Sequence, residues 1–244
     1  MWPYSRLAAI AILALSHALL LYPTLRPNVQ WLGPVITHFT TTRNELWLTI
    51  DDGPTDDTRE LLALFEAKNA RVTFFVKGAL ARAHPELIRE MLAHGHSVAN
   101  HSDTHPSGSF WMLPPHVVAR EIDRCNDALQ TITGHAPRWF RAPVGMKNPG
   151  VHPQLARRQM RLIGWSVRAF DAVVTSVETV VRRLTPGFAP GAILVMHQGR
   201  RGANGESLSA EMLRAVVEAG QSRGFEFVIP ADDQLVAGRR NVNR

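Results

Sequence analysis

Two histidines four residues apart, His101 and His105, stand in the run His101-Ser102-Asp103-Thr104-His105-Pro106. At that spacing two imidazoles share one face of a helical turn and can grip one cation. Pro106 ends such a turn at once, which places the pair in a strand-to-loop connection rather than on a long helix. The metalloprotease pattern needs a glutamate beside the first histidine, and Ser102 stands there instead. Cysteine offers no further ligand, because the single Cys125 falls in a helical pattern with Ile122 and Leu129 and reads as a buried thiol. The adjacent Asp51 and Asp52 offer one carboxylate to ligate and one to take a proton from water; spacing alone does not say which does which. Two histidines and one carboxylate leave a coordination position open for water, the catalytic rather than the structural pattern.

These residues need elements to position them, and the chain from residue 45 onward alternates strand-like and helical stretches. Strands are expected at 45–50, 71–76, 96–100, 139–140, 161–167, 192–196 and 225–229. Helices are expected at about 58–68, after Pro85 up to Gly95, and at 115–133, 152–160, 177–184 and 207–219. Pro85 sits at a first helical position, and Gly134 closes the long helix. Such alternation predicts parallel strands with crossover helices, hence a barrel or a doubly wound sheet, with about seven strands. In a parallel barrel the strand C-termini converge on one face, and the unusual polar residues fall there repeatedly. Asp51-Asp52 end the first strand, His101 and His105 follow the third, Arg141 follows Phe140, Asp171 comes shortly after Trp165, and His197 follows Met196.

The 244 residues are enough for one α/β domain, and 45% apolar with 20% charged content excludes wholesale disorder. The formal charge of +6 comes from arginines scattered in pairs, with no aromatic-interleaved pattern, so no nucleic-acid partner is expected. Leu7 to Leu21 is apolar apart from Ser16 and His17. As a helix it covers roughly 22 Å, short of the ~30 Å hydrocarbon core, in the proportions of a secretory segment or short signal anchor. Pro23 and Pro27 are expected to detach it from the domain. The expected organisation is a hydrophobic segment at 1–25, a linker at 26–42, one domain at 43–238 and a tail at 239–244. Retention of the segment places the protein on the exported, periplasmic face of an inner membrane. The Phe110-Trp111-Met112 loop reads equally as a membrane contact or as packing.

Thr49-Ile50-Asp51-Asp52-Gly53-Pro54, the His101–Pro106 run, Arg141-Ala142-Pro143-Val144-Gly145 and Leu194-Val195-Met196-His197 resemble, in order and rough spacing, the motifs of polysaccharide deacetylases with a NodB homology domain, carbohydrate esterase family 4. The resemblance covers about residues 43–235. It implies a distorted (β/α) TIM-like barrel and hydrolysis of an acyl group from a sugar, assisted by a divalent metal, zinc above all. By position it implies Asp51 as general base, Asp52, His101 and His105 as metal ligands, Arg141 as the residue orienting the base, and His197 as general acid. The Val144 N–H would form part of an oxyanion hole, and Trp165, Arg168 and Asp171 would complete the substrate contacts.

Arg168-Ala169-Phe170-Asp171-Ala172 departs from the family pattern, which has aspartate at the first position and tryptophan at the last. With Arg168 there, His197 is expected to lack a carboxylate partner and to hold its proton less firmly. An alternative for Arg168 is a grip on an anionic substrate group. The expected substrate is an N-acetylated glycan or a lipid-linked amino sugar. A non-catalytic, membrane-tethered carbohydrate- or lipid-binding module is the competing class, against which the presence of Asp51 beside all three ligand candidates argues. The lack of a G-x-S-x-G elbow and the mid-helix place of Cys125 argue against serine or cysteine hydrolysis.

Overall fold

A computed structural model describes residues 2–202 and 204–237; the expected tail at 239–244 lies outside the described residues. The chain opens with helix α1 (Trp2–Leu25), then β1 (Glu45–Gly53), α2 (Thr58–Ala67), β2 (Val72–Val76), α3 (Gly78–Ala83) and α4 (Pro85–Ala93). It continues through β3 (Ser97–Asn100), α5 (Pro115–Thr133), β4 (Trp139–Phe140), α6 (Val151–Arg157) and β5 (Arg161–Leu162). The remainder is β6 (Val167–Arg168), α7 (Val177–Leu184), β7 (Ala192–His197), α8 (Leu208–Gln221) and β8 (Glu226–Phe227).

Seven parallel strands follow the order β5-β4-β3-β2-β1-β7-β6, and the short β8 pairs with the first two residues of β1. They form a curled half-barrel, as the alternating pattern requires. β1 is central because both of its faces are apolar. Leu46, Leu48 and Ile50 pack outward against the helices, in one cluster with Phe65, Val72, Phe74, Leu194 and Leu213. Trp47 points the other way, into the barrel interior with Phe75, Ile163, Trp165, Ile193 and Val195. The period of two then carries Thr49 and Asp51 to the same interior side as Trp47. In α5, Val118, Ile122, Cys125 and Leu129 recur at helical spacing and are buried; Gly134 ends the helix in the left-handed region, φ 80°.

The expected single strand at 161–167 is split. Between β5 and β6 the carbonyls of Ile163 and Gly164 accept from the buried Arg141 guanidinium, and Asn28 Nδ2 donates to the Trp165 carbonyl, so this stretch serves side chains instead of a ladder. The gap between β5 and β7 is bridged by residues 36–39, part of the expected linker. Ile36 N–H donates to the Leu162 carbonyl at 3.0 Å, and Phe39 N–H to that of Gly191 at 2.9 Å. Val35, Ile36 and Phe39 are buried. Helix α3 is an addition to the expected elements; at six residues it is too short to show a periodic stripe.

The N-terminal helix is longer than its apolar core suggests. Its 24 residues, with Pro23 inside, correspond to about 36 Å. The portion Arg6–Leu25 is long and apolar enough to cross a membrane, and its leucines and isoleucines are exposed. Pro23 and Pro27 do not detach it. Buried Lys147 donates from Nζ to the carbonyls of Pro23, Arg26 and Pro27 at 3.3, 2.9 and 2.8 Å, fixing the helix end to the barrel. In the Phe110–Met112 turn Phe110 is fully buried, stacked near Phe140, and only Met112 is largely exposed, so packing accounts for Phe110.

Candidate active site

The C-terminal ends of β1, β3 and β7 deliver Asp51, His101 and His197 to one cleft, a cavity of about 520 Å³, and the end of β4 places Arg141 in the protein interior against Asp51. β1 ends irregularly. Its register with β2 slips between Asp51 and Gly53, and Asp52 takes a left-handed backbone, φ 77°. The slip turns two consecutive carboxylates toward the same cleft, which a regular pleat would send to opposite faces. Gly53 leaves room for the Gln198 side chain, whose Nε2 would lie 1.7 Å from a Cβ at this position.

His101 and His105 converge through a loop with Ser102 at φ 67° and His105 at φ 54°, not through a helical turn as their spacing suggests. Side chains that sequence reasoning passed over hold this loop. Asn100 Oδ1 accepts from Ser102 N–H at 2.7 Å, and buried Glu121 accepts from the N–H groups of Asp103 and Thr104. The ring centroids of the two histidines are 4.6 Å apart. Asp52, His101 and His105 each present a ligand atom, all within 4.8 Å of one another.

The chemistry of these donors fits a cation. His101 Nδ1 lies 2.9 Å from the Arg141 carbonyl, which fixes the N–H on that nitrogen and turns the Nε2 lone pair toward the aspartates. Burial pushes His101 below its ordinary pKa, and burial together with neighbouring His101 pushes His105 down to about 4, so both rings are neutral near pH 7. Burial opposes ionisation of Asp52, but the combined attraction of His101, His105, Lys77 and His197 outweighs it and keeps its pKa below the ordinary value. Its Oδ1 is buried with no hydrogen-bond partner, 3.6 Å from His105 Nε2 and 3.4 Å from Lys77 Nζ. Lys77, just past the end of β2, was another residue missed; its place after a strand end was the available signal.

Asp51 sits deeper. Arg141 is fully buried, stacked 4.1 Å above the Phe75 ring, and donates to Asp51 Oδ1 and to Thr49 Oγ1, each at 2.7 Å. The other oxygen of Asp51 faces His101 Nε2 at 3.7 Å.

His197 does have a carboxylate partner, contrary to the expectation drawn from Arg168. Asp171 Oδ2 accepts from the His197 backbone N–H at 2.7 Å, and Oδ1 lies 3.1 Å from its Nδ1. Burial alone would lower the proton affinity of His197. The hydrogen bond and charge of Asp171, with Asp51 and Asp52 beyond, outweigh it and raise the pKa. Asp171, expected among the substrate contacts, is itself buried behind the histidine. Trp165, Arg168 and Val144 do line the cleft, Val144 half exposed and in the left-handed region at φ 56°.

The sequence model of the family described as "Polysaccharide deacetylase" matches residues 38–163, which hold Asp51, Asp52, His101, His105 and Arg141. The chain belongs to the polysaccharide deacetylase family. It is similar to the chitooligosaccharide deacetylase of Bradyrhizobium sp. (strain ANU 289), 34% identical over 192 residues, covering 75% of this chain and 87% of that one. It is also similar to the peptidoglycan-N-acetylglucosamine deacetylase PgdA of Listeria monocytogenes, 29% identical over 188 residues, covering 77% of this chain and 38% of that protein. Among solved structures, a family 4 carbohydrate esterase from Streptomyces lividans in complex with acetate superposes with a TM-score of 0.69 at 25% identity, covering 80% of this chain and 98% of that one.

Proposed function

We propose that this polysaccharide deacetylase-family protein is a metal-dependent hydrolase that removes an acyl group, acetyl above all, from an amino sugar of a glycan or lipid-linked saccharide. The observation that carries this reading is the pairing of Asp51, held by Arg141, with the adjacent donor set Asp52, His101 and His105. A binding module needs no such second, positioned carboxylate. The named activities of the Bradyrhizobium and Listeria relatives support N-acetylglucosamine as the acylated sugar.

Asp52, His101 and His105 would hold the cation, and their nitrogen and oxygen donors with one open position suit zinc. When bound, the ion lowers the pKa of a water to ~7 and polarises the acyl carbonyl. Asp51 takes the proton of the attacking water, with Arg141 fixing which oxygen faces the cleft. The Val144 N–H donates to the developing oxyanion. His197, kept protonated by Asp171, gives its proton to the departing amine nitrogen, and the acetate leaves. Trp165 and Val144 form the walls against the sugar. Helix α1 is read as a membrane anchor that keeps the domain on the exported face of the membrane.

The test is acetate release from N-acetylglucosamine oligomers, peptidoglycan fragments and lipid-linked N-acetylated sugars by the full chain in detergent. Release by the zinc-loaded protein and its loss in Asp51→Asn supports the reading. Equal release by both proteins overturns the role of Asp51, and no release from any acylated sugar overturns the function.

A further inference from the structure

Each carboxylate of the cleft has a basic neighbour in contact other than Arg168. Asp51 accepts from Arg141, Asp171 holds His197, and Asp52 lies among His105 and Lys77. Arg168 is different. Its register beside Val195 on β7 turns it toward the cleft, while its neighbour Val167 packs in the outer layer with the helices. Its guanidinium lies over the Phe170 ring at 4.0 Å and over the Trp165 ring at 5.2 Å. Among the described residues its contacts are these two rings, with no ion pair or hydrogen bond, and the Asp171 and Asp51 carboxylates attract it only from a distance. Aromatic contact satisfies the faces of a guanidinium and leaves its edge, a fork of donors matched to carboxylate or phosphate oxygens. A half-buried cation held in this way, with no acid in contact with its donors, is arranged for an incoming anion.

The same wall carries the end of the apolar helix. Asn28 Nδ2 donates to the Trp165 carbonyl at 2.7 Å, and Pro27 packs so closely on Gly145 that a Cβ there would lie 2.8 Å from it. With Lys147 holding Pro23, Arg26 and Pro27, α1 leaves the domain beside Trp165, the residue over which Arg168 lies.

We propose that Arg168 is a specificity-determining residue that binds a phosphate attached to the N-acylated sugar. The sugar part of this inference rests on the deacetylase reading; the anion part does not. The exit of α1 on this wall favours a phosphate presented from a lipid, and a soluble sugar phosphate is the alternative source.

Two measurements on the full, zinc-loaded chain in detergent test it. Calorimetric titration compares N-acetylglucosamine 1-phosphate with N-acetylglucosamine, using wild type, Arg168→Gln and Arg168→Lys. The phosphorylated sugar should bind wild type more tightly by roughly tenfold or more, as one charge-assisted hydrogen bond requires. Arg168→Gln should abolish most of that preference, and Arg168→Lys should restore part of it. A preference that persists in Arg168→Gln belongs to the metal and overturns the proposal, as does no preference in wild type. Acetate release then compares a polyprenyl-phosphate-linked N-acetylglucosamine, the soluble 1-phosphate and neutral chitobiose. The ratio of kcat/KM for phosphorylated over neutral substrate should exceed one and collapse in Arg168→Gln, through KM. A larger ratio for the lipid-linked sugar than for the soluble phosphate supports the lipid source; equality supports the soluble one. Acetate release without preference overturns the anion site and leaves the deacetylase standing. Arg168-dependent phosphate binding without acetate release does the reverse.

Discussion

Asp171 grips His197 twice, accepting its backbone N–H with one oxygen and facing its Nδ1 with the other. The double contact sets both the place of the β7 terminus and the proton affinity of the imidazole. It also explains how the cleft accommodates an arginine at position 168: the carboxylate that supports the histidine comes from three residues further along.

In the proposed reaction His197 acts in its protonated form, and its pKa is raised in the folded protein because Asp171, with Asp51 and Asp52, outweighs burial. Activity therefore persists as pH rises until His197 loses its proton. In Asp171→Asn that loss occurs at lower pH, so the alkaline limb of the rate profile should move down while the acidic limb stays. On the alkaline side of the wild-type optimum kcat should fall by up to about 10²-fold. A profile displaced uniformly, with no movement of the alkaline limb, would sink this role for Asp171.

Arg141 is a buried cation whose partner, Asp51, is also buried. Arg141→Met leaves that carboxylate without its ion pair and should cost about 3–5 kcal/mol in urea unfolding, as removal of one member of a buried pair does. Because Arg141 also presents its carbonyl to His101, a backbone contact the substitution retains, the fraction that folds should still bind metal. A loss of stability under 1 kcal/mol would show Asp51 to be solvated in the native state.

His96 lies between Phe65 and Phe74 at the opposite end of the strands, with Nε2 buried and unpartnered. Burial, aided by Arg71 and His94, lowers its pKa to about 4 from 6.5. Between those values the unfolded chain binds more protons than the native one, so stability falls as pH drops through this window. His96→Leu should flatten the decline of Tm between pH 6.5 and 4. An unchanged slope would assign the acid sensitivity elsewhere.

Lys147→Met keeps the buried stem and removes three hydrogen bonds to the end of α1. Hydrogen exchange at the Arg26 and Val29 amides should accelerate by about tenfold or more, while β1 and β7 keep their protection. Equal exchange in both proteins would mean that packing of Pro27 on Gly145 alone fixes the helix.

The central strands and most helices were legible in the sequence because burial imposes a period on their residues. Leu46, Leu48 and Ile50 on one side of β1 and Val118, Ile122, Cys125 and Leu129 on α5 are examples. The site residues were legible because they follow strand ends. What escaped depends on contacts distant in sequence. The break between β5 and β6 is set by Arg141 and Asn28, more than 20 and 130 residues away. The clamp on α1 is set by a lysine 120 residues beyond it. The support of His197 is not legible at motif position 168, which holds an arginine, because the fold brings Asp171 to the same nitrogen.

The division of labour between the neighbours Asp51 and Asp52 is the centre of the proposed chemistry, and elemental analysis of two variants tests it most directly. Purified after zinc loading and gel filtration, wild type and Asp51→Asn should each retain one ion per chain, because the Asp51 carboxylate is engaged by Arg141 and is absent from the donor set. Asp52→Asn should lose most of its metal. Equal metal content in the two variants, or loss in Asp51→Asn alone, would contradict the assignment.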